Sequence, residues 1–172
     1  MNDTVLKVCR GEKVPYTPVW IMRQAGRLLP QFRKLLEKSD FLTLCKTPEL
    51  AAEVTIQPVD VLGVDAAILF SDILTTVEPM GMLLSCSGGM GPFFENPIRS
   101  QSDVNRLIVP EAEEGLSFVM ETIRIVVREL RNKVPLIGFA GAPFTVAAYM
   151  VEGSEAQRSP LFFNTRKMIA QD

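Results

Sequence analysis

Three short apolar runs, Val19-Met22, Ala66-Phe70 and Leu136-Phe139, are separated by stretches whose apolar residues recur at helical spacing. Runs of this length read as buried strands. Strand, helix, strand, helix, strand, helix implies parallel strands joined by helical crossovers, because parallel neighbours cannot be linked by a tight hairpin. The chain is therefore expected to be an α/β protein.

The helices have legible ends. Thr47-Pro48-Glu49 reads as a start, with a capping hydroxyl, proline at the first position and an acid in the first turn. Leu50, Val54 and Val61 extend its apolar stripe past Pro58, and Gly63 supplies the stop. A second helix is expected from Glu111 to Arg131, since Leu116, Val119, Met120, Ile123, Val127 and Leu130 follow helical spacing. A third opens at Pro143 and ends near Gly153, and a fourth begins near Pro160. The Pro/Gly-rich stretch from Gly81 to Pro97 reads as a long surface loop.

Each predicted strand runs into residues capable of recognition. Val19-Met22 leads to Arg23, Ala66-Phe70 to Ser71-Asp72, and Leu136-Phe139 to Gly141-Ala142-Pro143. In parallel α/β folds these carboxyl ends share one face, where ligands bind. Arg23 and Arg27 are four apart, and from Pro18 to Leu36 there are four cations and no carboxylate. Arginine's planar fork suits carboxylates and phosphates. Gly26 permits close backbone approach to a ligand. Spacing alone leaves two readings, an anion site or two surface arginines paired with distant acids. Asp72 likewise has three open roles: capping the next element, pairing with Arg23, or holding a ligand donor.

The charge balance narrows the ligand. With 18 Lys+Arg against 20 Asp+Glu, net charge −2, the chain lacks the basic excess of a nucleic-acid or anionic-membrane surface, so any anion is bound locally. No segment approaches the roughly 18 consecutive apolar residues of a membrane span. The first residues lack the apolar core of a secretory signal. Three widely spaced cysteines read as reduced thiols, so a cytoplasmic location is expected. There is no histidine, which removes the usual imidazole base and makes a zinc site from this chain improbable. "GFAGAPFTVAAYMVEG", Gly138 to Gly153, has a glycine turn opening a helix but no Gly-Lys-Ser/Thr of a phosphate loop. Within it, periodicity alone makes Tyr149 a core residue, and Glu152 serves a helix end or an ion pair.

"PVWIMRQAGRLLP", "FSDIL" and "GFAGAPFTVAAYMVEG", in this order, resemble the signatures of the uroporphyrinogen decarboxylase family. The resemblance runs from about Pro15 to Asp172 and covers about the first half of the family's chain. It implies a partial (β/α)8 TIM barrel, about the first three β/α units with an N-terminal extension, as a single domain over residues 1–172. It implies a cofactor-free carboxy-lyase of porphyrin and haem biosynthesis that turns the four acetate side chains of uroporphyrinogen into methyls, giving coproporphyrinogen. By motif, Arg23 and Arg27 bind substrate carboxylates, and Gln24, Ala25 and Gly26 line the loop. Asp72 accepts the pyrrole N–H groups, and Tyr149 contacts substrate. Asp72 and Arg23 are the catalytic candidates, with no metal and, for a full-length chain, a homodimer.

The chain departs from the family where "RYLPE" becomes "RLLPQ", placing Leu28 and Gln31 at a tyrosine and a glutamate position. After Gly153, "SEAQRS" replaces a glycine-serine run, and a later hydroxyl residue and a histidine have no counterpart. A barrel takes about 250 residues, so the piece alone is expected to be inactive and poorly stable. Two other readings stay open. One is a corrinoid-dependent methyltransferase of the same fold, which would need zinc ligands. The other is a noncatalytic fragment that binds a polycarboxylate.

Overall fold

The structure, a computed structural model, describes residues 2–22, 28–86, 91–153 and 163–169. In chain order its elements are α1 (Thr4–Cys9), α2 (Pro30–Leu36), α3 (Phe41–Lys46), α4 (Pro48–Leu62), β1 (Ala67–Ile68), 3-10 turns at Ile73–Thr76 and Glu78–Met80, β2 (Leu84–Ser85) and β3 (Phe93–Phe94). There follow α5 (Gln101–Val104), α6 (Ala112–Gly115), α7 (Ser117–Leu130), β4 (Leu136–Ile137), α8 (Pro143–Glu152) and α9 (Phe163–Ile169). The chain divides into two compact units. One is Met1–Ser71 with Phe118–Phe139, and the other is Asp72–Ser117 with Ala140–Asp172.

In the first unit β1 and β4 pair in parallel, Ala67 opposite Leu136 and Ile68 opposite Ile137, as the order of elements requires. α4 packs on β1 and on the short helices α2 and α3. Leu29, Phe32, Leu44, Ala51, Val54 and Phe70 form one apolar cluster. Within it the Phe70 ring meets Phe32 and Phe41 edge-on, both at 5.6 Å between centroids, the arrangement that ring quadrupoles favour. A second cluster gathers Ala52, Val59, Ala67, Val126, Leu130 and Val134, with Trp20 and Leu136 against it. α4 begins at Pro48 and stops at Gly63, which takes φ 65°, ψ 34°, a left-handed conformation that glycine adopts without steric cost.

The Thr47 hydroxyl makes no capping bond to α4, although Thr47 has the extended backbone of a cap residue; its N–H closes α3 by donating to the Thr43 carbonyl. The expected strand Val19-Met22 is not a strand. Val19 and Ile21 are exposed while Trp20 turns inward. Val19 spends its N–H on the Asp65 side chain and accepts a bond from the Asp65 N–H instead of joining a ladder.

In the second unit β2 and β3 form an antiparallel pair, Leu84 opposite Phe94 and Ser85 opposite Phe93. The stretch from Gly81 to Pro97 thus carries a β-ladder and is not a plain loop. The helix expected from Glu111 to Arg131 is two helices, α6 and α7, broken at Leu116 (φ −124°, ψ 30°). Gly115 sits so close to Pro79 that an added Cβ would lie 2.9 Å from the proline ring, so an approach distant in sequence interrupts a helical pattern. α8 spans Pro143 to Glu152 as expected and packs against β3, α9 and the Ile73–Thr76 turn. The helix expected near Pro160 is α9, starting at Phe163; Pro160 itself lies outside the described residues. Among the described residues no helix is long and apolar enough to cross a membrane.

Candidate functional site

Asp72 follows the apolar run Ala66-Phe70 and takes an extended conformation (φ −126°, ψ 143°) at the head of the Ile73–Thr76 turn. Its Oδ1 accepts the Leu74 N–H at 2.8 Å, and its carbonyl accepts the Thr75 hydroxyl at 2.7 Å. The capping role is therefore real, and it occupies one carboxylate oxygen. Among the described residues Oδ2 has no hydrogen-bond partner, and no cation forms an ion pair with the group. Burial pushes the Asp72 carboxyl above the ordinary carboxylate value, and the Leu74 N–H only partly opposes it. A carboxylate in this state strongly favours an added donor or positive charge.

Tyr149 lies half-buried on α8, the helix that packs on the turn headed by Asp72. Its hydroxyl makes no hydrogen bond among the described residues. The same helix is fastened from the side: the Ile98 N–H donates to the Met150 carbonyl at 2.8 Å, and the Arg99 guanidinium donates to the Val151 carbonyl. Gly141, in the turn ahead of α8, abuts Asp72's neighbour. A Cβ there would lie 3.2 Å from Ile73 Cβ and 2.5 Å from Val146 Cγ2. Glycine is required there for space, and it lets the α8 entry approach the Asp72 turn closely.

Arg23, Gln24, Ala25, Gly26 and Arg27 lie outside the described residues. The structure brings together the elements that carry Asp72 and Tyr149. Glu152, read from sequence as serving a helix end, serves the start of α9. Its oxygens accept the Thr165 N–H at 2.8 Å, the Thr165 hydroxyl at 3.0 Å and the Asn164 amide at 2.9 Å. Burial raises this carboxyl, but those bonds outweigh it and hold the group below its usual range.

Sequence reasoning missed Asp65. Its carboxylate is buried just ahead of β1 and accepts bonds from Asn2, Tyr16 and Val19. The signal was an acid abutting an apolar run, in "VDAAILF", on the side opposite to Asp72.

The uroporphyrinogen decarboxylase (URO-D) family model matches residues 1–172. A uroporphyrinogen decarboxylase of Desulfotalea psychrophila is 57% identical over 169 residues, 98% of this chain and 48% of the relative. One of Geotalea daltonii is 64% identical over 153 residues, 89% of this chain and 44% of the relative. The chain thus spans about half the length of the curated relatives it matches. Among solved structures, a methyltransferase from Methanosarcina mazei superposes with TM-score 0.68 at 23% identity, over 87% of this chain and 44% of that one. At that identity the likeness concerns the fold alone, and with the family match it makes the architecture that of part of a (β/α) barrel. The chain belongs to the uroporphyrinogen decarboxylase family.

Proposed function

We propose that this chain contributes the carboxylate-binding and cation-stabilising part of a uroporphyrinogen decarboxylase, with Asp72 and Arg23 catalytic. Arg27, Gln24, Ala25, Gly26 and Tyr149 would complete its share of the substrate surface. The observation that carries the reading is Asp72: a carboxylate with one oxygen committed to its own turn, raised by burial, four residues along the chain from the end of a parallel strand. Family membership supplies the substrate.

The chemistry needs such a group. Protonation of a pyrrole carbon leaves a cationic ring. The bond from the side-chain methylene to the carboxylate then breaks, carbon dioxide departs, and the electron pair returns to the ring. A second proton converts the exocyclic methylene to methyl and the ring carbon releases the first, so that the neutral pyrrole is restored and one proton is taken up for each carbon dioxide lost. The free oxygen of Asp72 accepts pyrrole N–H groups and stabilises the ring cation while it exists, which is most effective where water is excluded. Arg23 and Arg27 hold substrate carboxylates. Each charge-assisted contact is worth about 1.5–3 kcal/mol, roughly tenfold to a hundredfold in affinity.

Uroporphyrin, the stable oxidised form of the substrate, tests binding. The chain should prefer it to coproporphyrin, which has half as many carboxylates, and Arg23→Ala should weaken it by roughly tenfold to a hundredfold. Turnover is followed by chromatography of the oxidised products, in whichever form of the protein converts uroporphyrinogen. There Asp72→Asn should lower kcat by about a hundredfold or more with little change in KM. A variant that lost affinity alone would count against the cation-stabilising role, and indifference to carboxylate number would remove the anion site.

A further inference from the structure

Two threonines in the turn headed by Asp72 make the same kind of bond in different surroundings. The Thr75 hydroxyl donates to the Asp72 carbonyl at 2.7 Å, and the Thr76 hydroxyl to the Ile73 carbonyl at 3.0 Å. Thr75 is 1% exposed and lies in sequence between the buried Leu74 and Val77, whereas Thr76 faces solvent. Water can replace what the Thr76 hydroxyl supplies, but not what the Thr75 hydroxyl supplies. A valine at position 75 would fill the same space with no hydroxyl to desolvate, so the hydroxyl carries a cost that its bond must offset. The backbone alone closes this turn weakly. The Thr75 N–H reaches the Asp72 carbonyl at 3.3 Å, longer than the usual value of about 2.9–3.0 Å.

Asp72 is thus held twice by its own turn. Its side chain is held through Oδ1, which accepts the Leu74 N–H at 2.8 Å, and its main chain through the carbonyl that Thr75 grips. With the carbonyl anchored, the Cα–Cβ bond of Asp72 keeps one direction relative to the Leu74 N–H, and Oδ1 stays within reach of that donor. An acceptor fixed in advance needs no reorganisation when charge develops beside it. We propose that Thr75 is a positioning residue for Asp72: its buried hydroxyl closes the turn through the Asp72 carbonyl, and so holds the carboxylate with Oδ1 on the turn and Oδ2 available to a donor. The inference deepens the role proposed above for Asp72 and rests on it.

The test is amide hydrogen exchange of the full 172-residue chain, followed by NMR, because the Leu74 N–H reports the Oδ1 bond itself. The Ile98 N–H, bonded to the Met150 carbonyl in the same unit, is the reference. Thr75→Val keeps the shape and removes the donor; it should raise Leu74 exchange at least about fivefold relative to Ile98. Thr75→Ser keeps the donor and should return the ratio to within about twofold of the parent. Thr76→Val, the same deletion one residue on, should leave the ratio unchanged. Thr75→Cys, a weak donor of similar size, should raise it about two- to threefold and covers the case in which Thr75→Val does not fold. A ratio that stays flat because both amides quicken together, a Thr76→Val effect as large as that of Thr75→Val, or no rescue by serine overturns the proposal. In whichever form of the protein converts uroporphyrinogen, Thr75→Val should lower kcat at least about fivefold with KM within about twofold of the parent. Turnover lost in Asp72→Asn but intact in Thr75→Val also overturns the proposal. If the exchange ratio moves while both variants turn over like the parent, the positioning stands and the catalytic role of Asp72 falls.

Discussion

Asp65 and Asp72 flank the same apolar run, and their surroundings drive them in opposite directions. The Val19 N–H, then the Tyr16 hydroxyl, with Asn2 adding to them against burial, hold Asp65 below the ordinary value of 3.8. Burial holds Asp72 above it, against a single N–H. The pH dependences follow with opposite sign. Ionised Asp65 stabilises the fold above the unfolded-state value, and that contribution is lost as pH falls through its lowered pKa; Asp65→Asn should destabilise at neutral pH and converge on the parent in strong acid. Ionised Asp72 costs stability at neutral pH, and the cost disappears as pH falls below 3.8. Asparagine keeps an acceptor for the Leu74 N–H, so Asp72→Asn should melt higher than the parent at pH 7 while losing turnover. Thermal melts of both variants from pH 3 to 7 check this, and an Asp72→Asn chain less stable than the parent at pH 7 would contradict it. Asp72 was legible because it ends an apolar run. Asp65 was equally placed in the pattern, but its donors Val19 and Asn2 lie 46 and 63 residues away, and periodicity cannot reveal a meeting of that kind.

Among the elements, those with local causes were readable and those with distant causes were not. Pro48 and Gly63 bounded α4, and Pro143 opened α8, because the backbone of proline and glycine acts on its own neighbours. The break at Leu116 depends on Pro79 meeting Gly115, and the β2–β3 pair joins two short runs within a stretch rich in turn residues. Helices α1, α2, α3 and α5 have seven residues or fewer, too short for a periodic stripe to stand out. Two glycines separate conformation from space. Gly63 has φ 65° with nothing within 4 Å of an added Cβ, whereas Gly141 has no positive φ but a Cβ would strike Val146 and Ile73. Gly63→Ala should cost about 1–2 kcal/mol and Gly63→Asn less, since asparagine tolerates the left-handed region. At Gly141 the order reverses, and asparagine should cost more than alanine because it is larger. Urea midpoints for the four variants decide this; the same ranking at both positions would refute the distinction.

For the molecule as a whole, the parallel pairing was legible from the order of strand and helix, while the barrel came from the resemblance and not from periodicity. Among the described residues β1 and β4 make a two-stranded sheet, and both side chains of β4 are only half-buried. A strand with one open edge offers unpaired N–H and carbonyl groups to another chain. The 19.1 kDa chain should therefore show a light-scattering mass that climbs with concentration, and a constant monomer mass would show that the edge is protected. A different kind of closure operates at the far end of the sequence. The Glu152 carboxylate grips Asn164 and Thr165, so the end of α8 and the start of α9 are held together by a side chain. Such a clasp frees the helix bearing Tyr149 from relying on backbone contacts alone: its last residue reaches across to α9 and anchors both helices through one carboxylate.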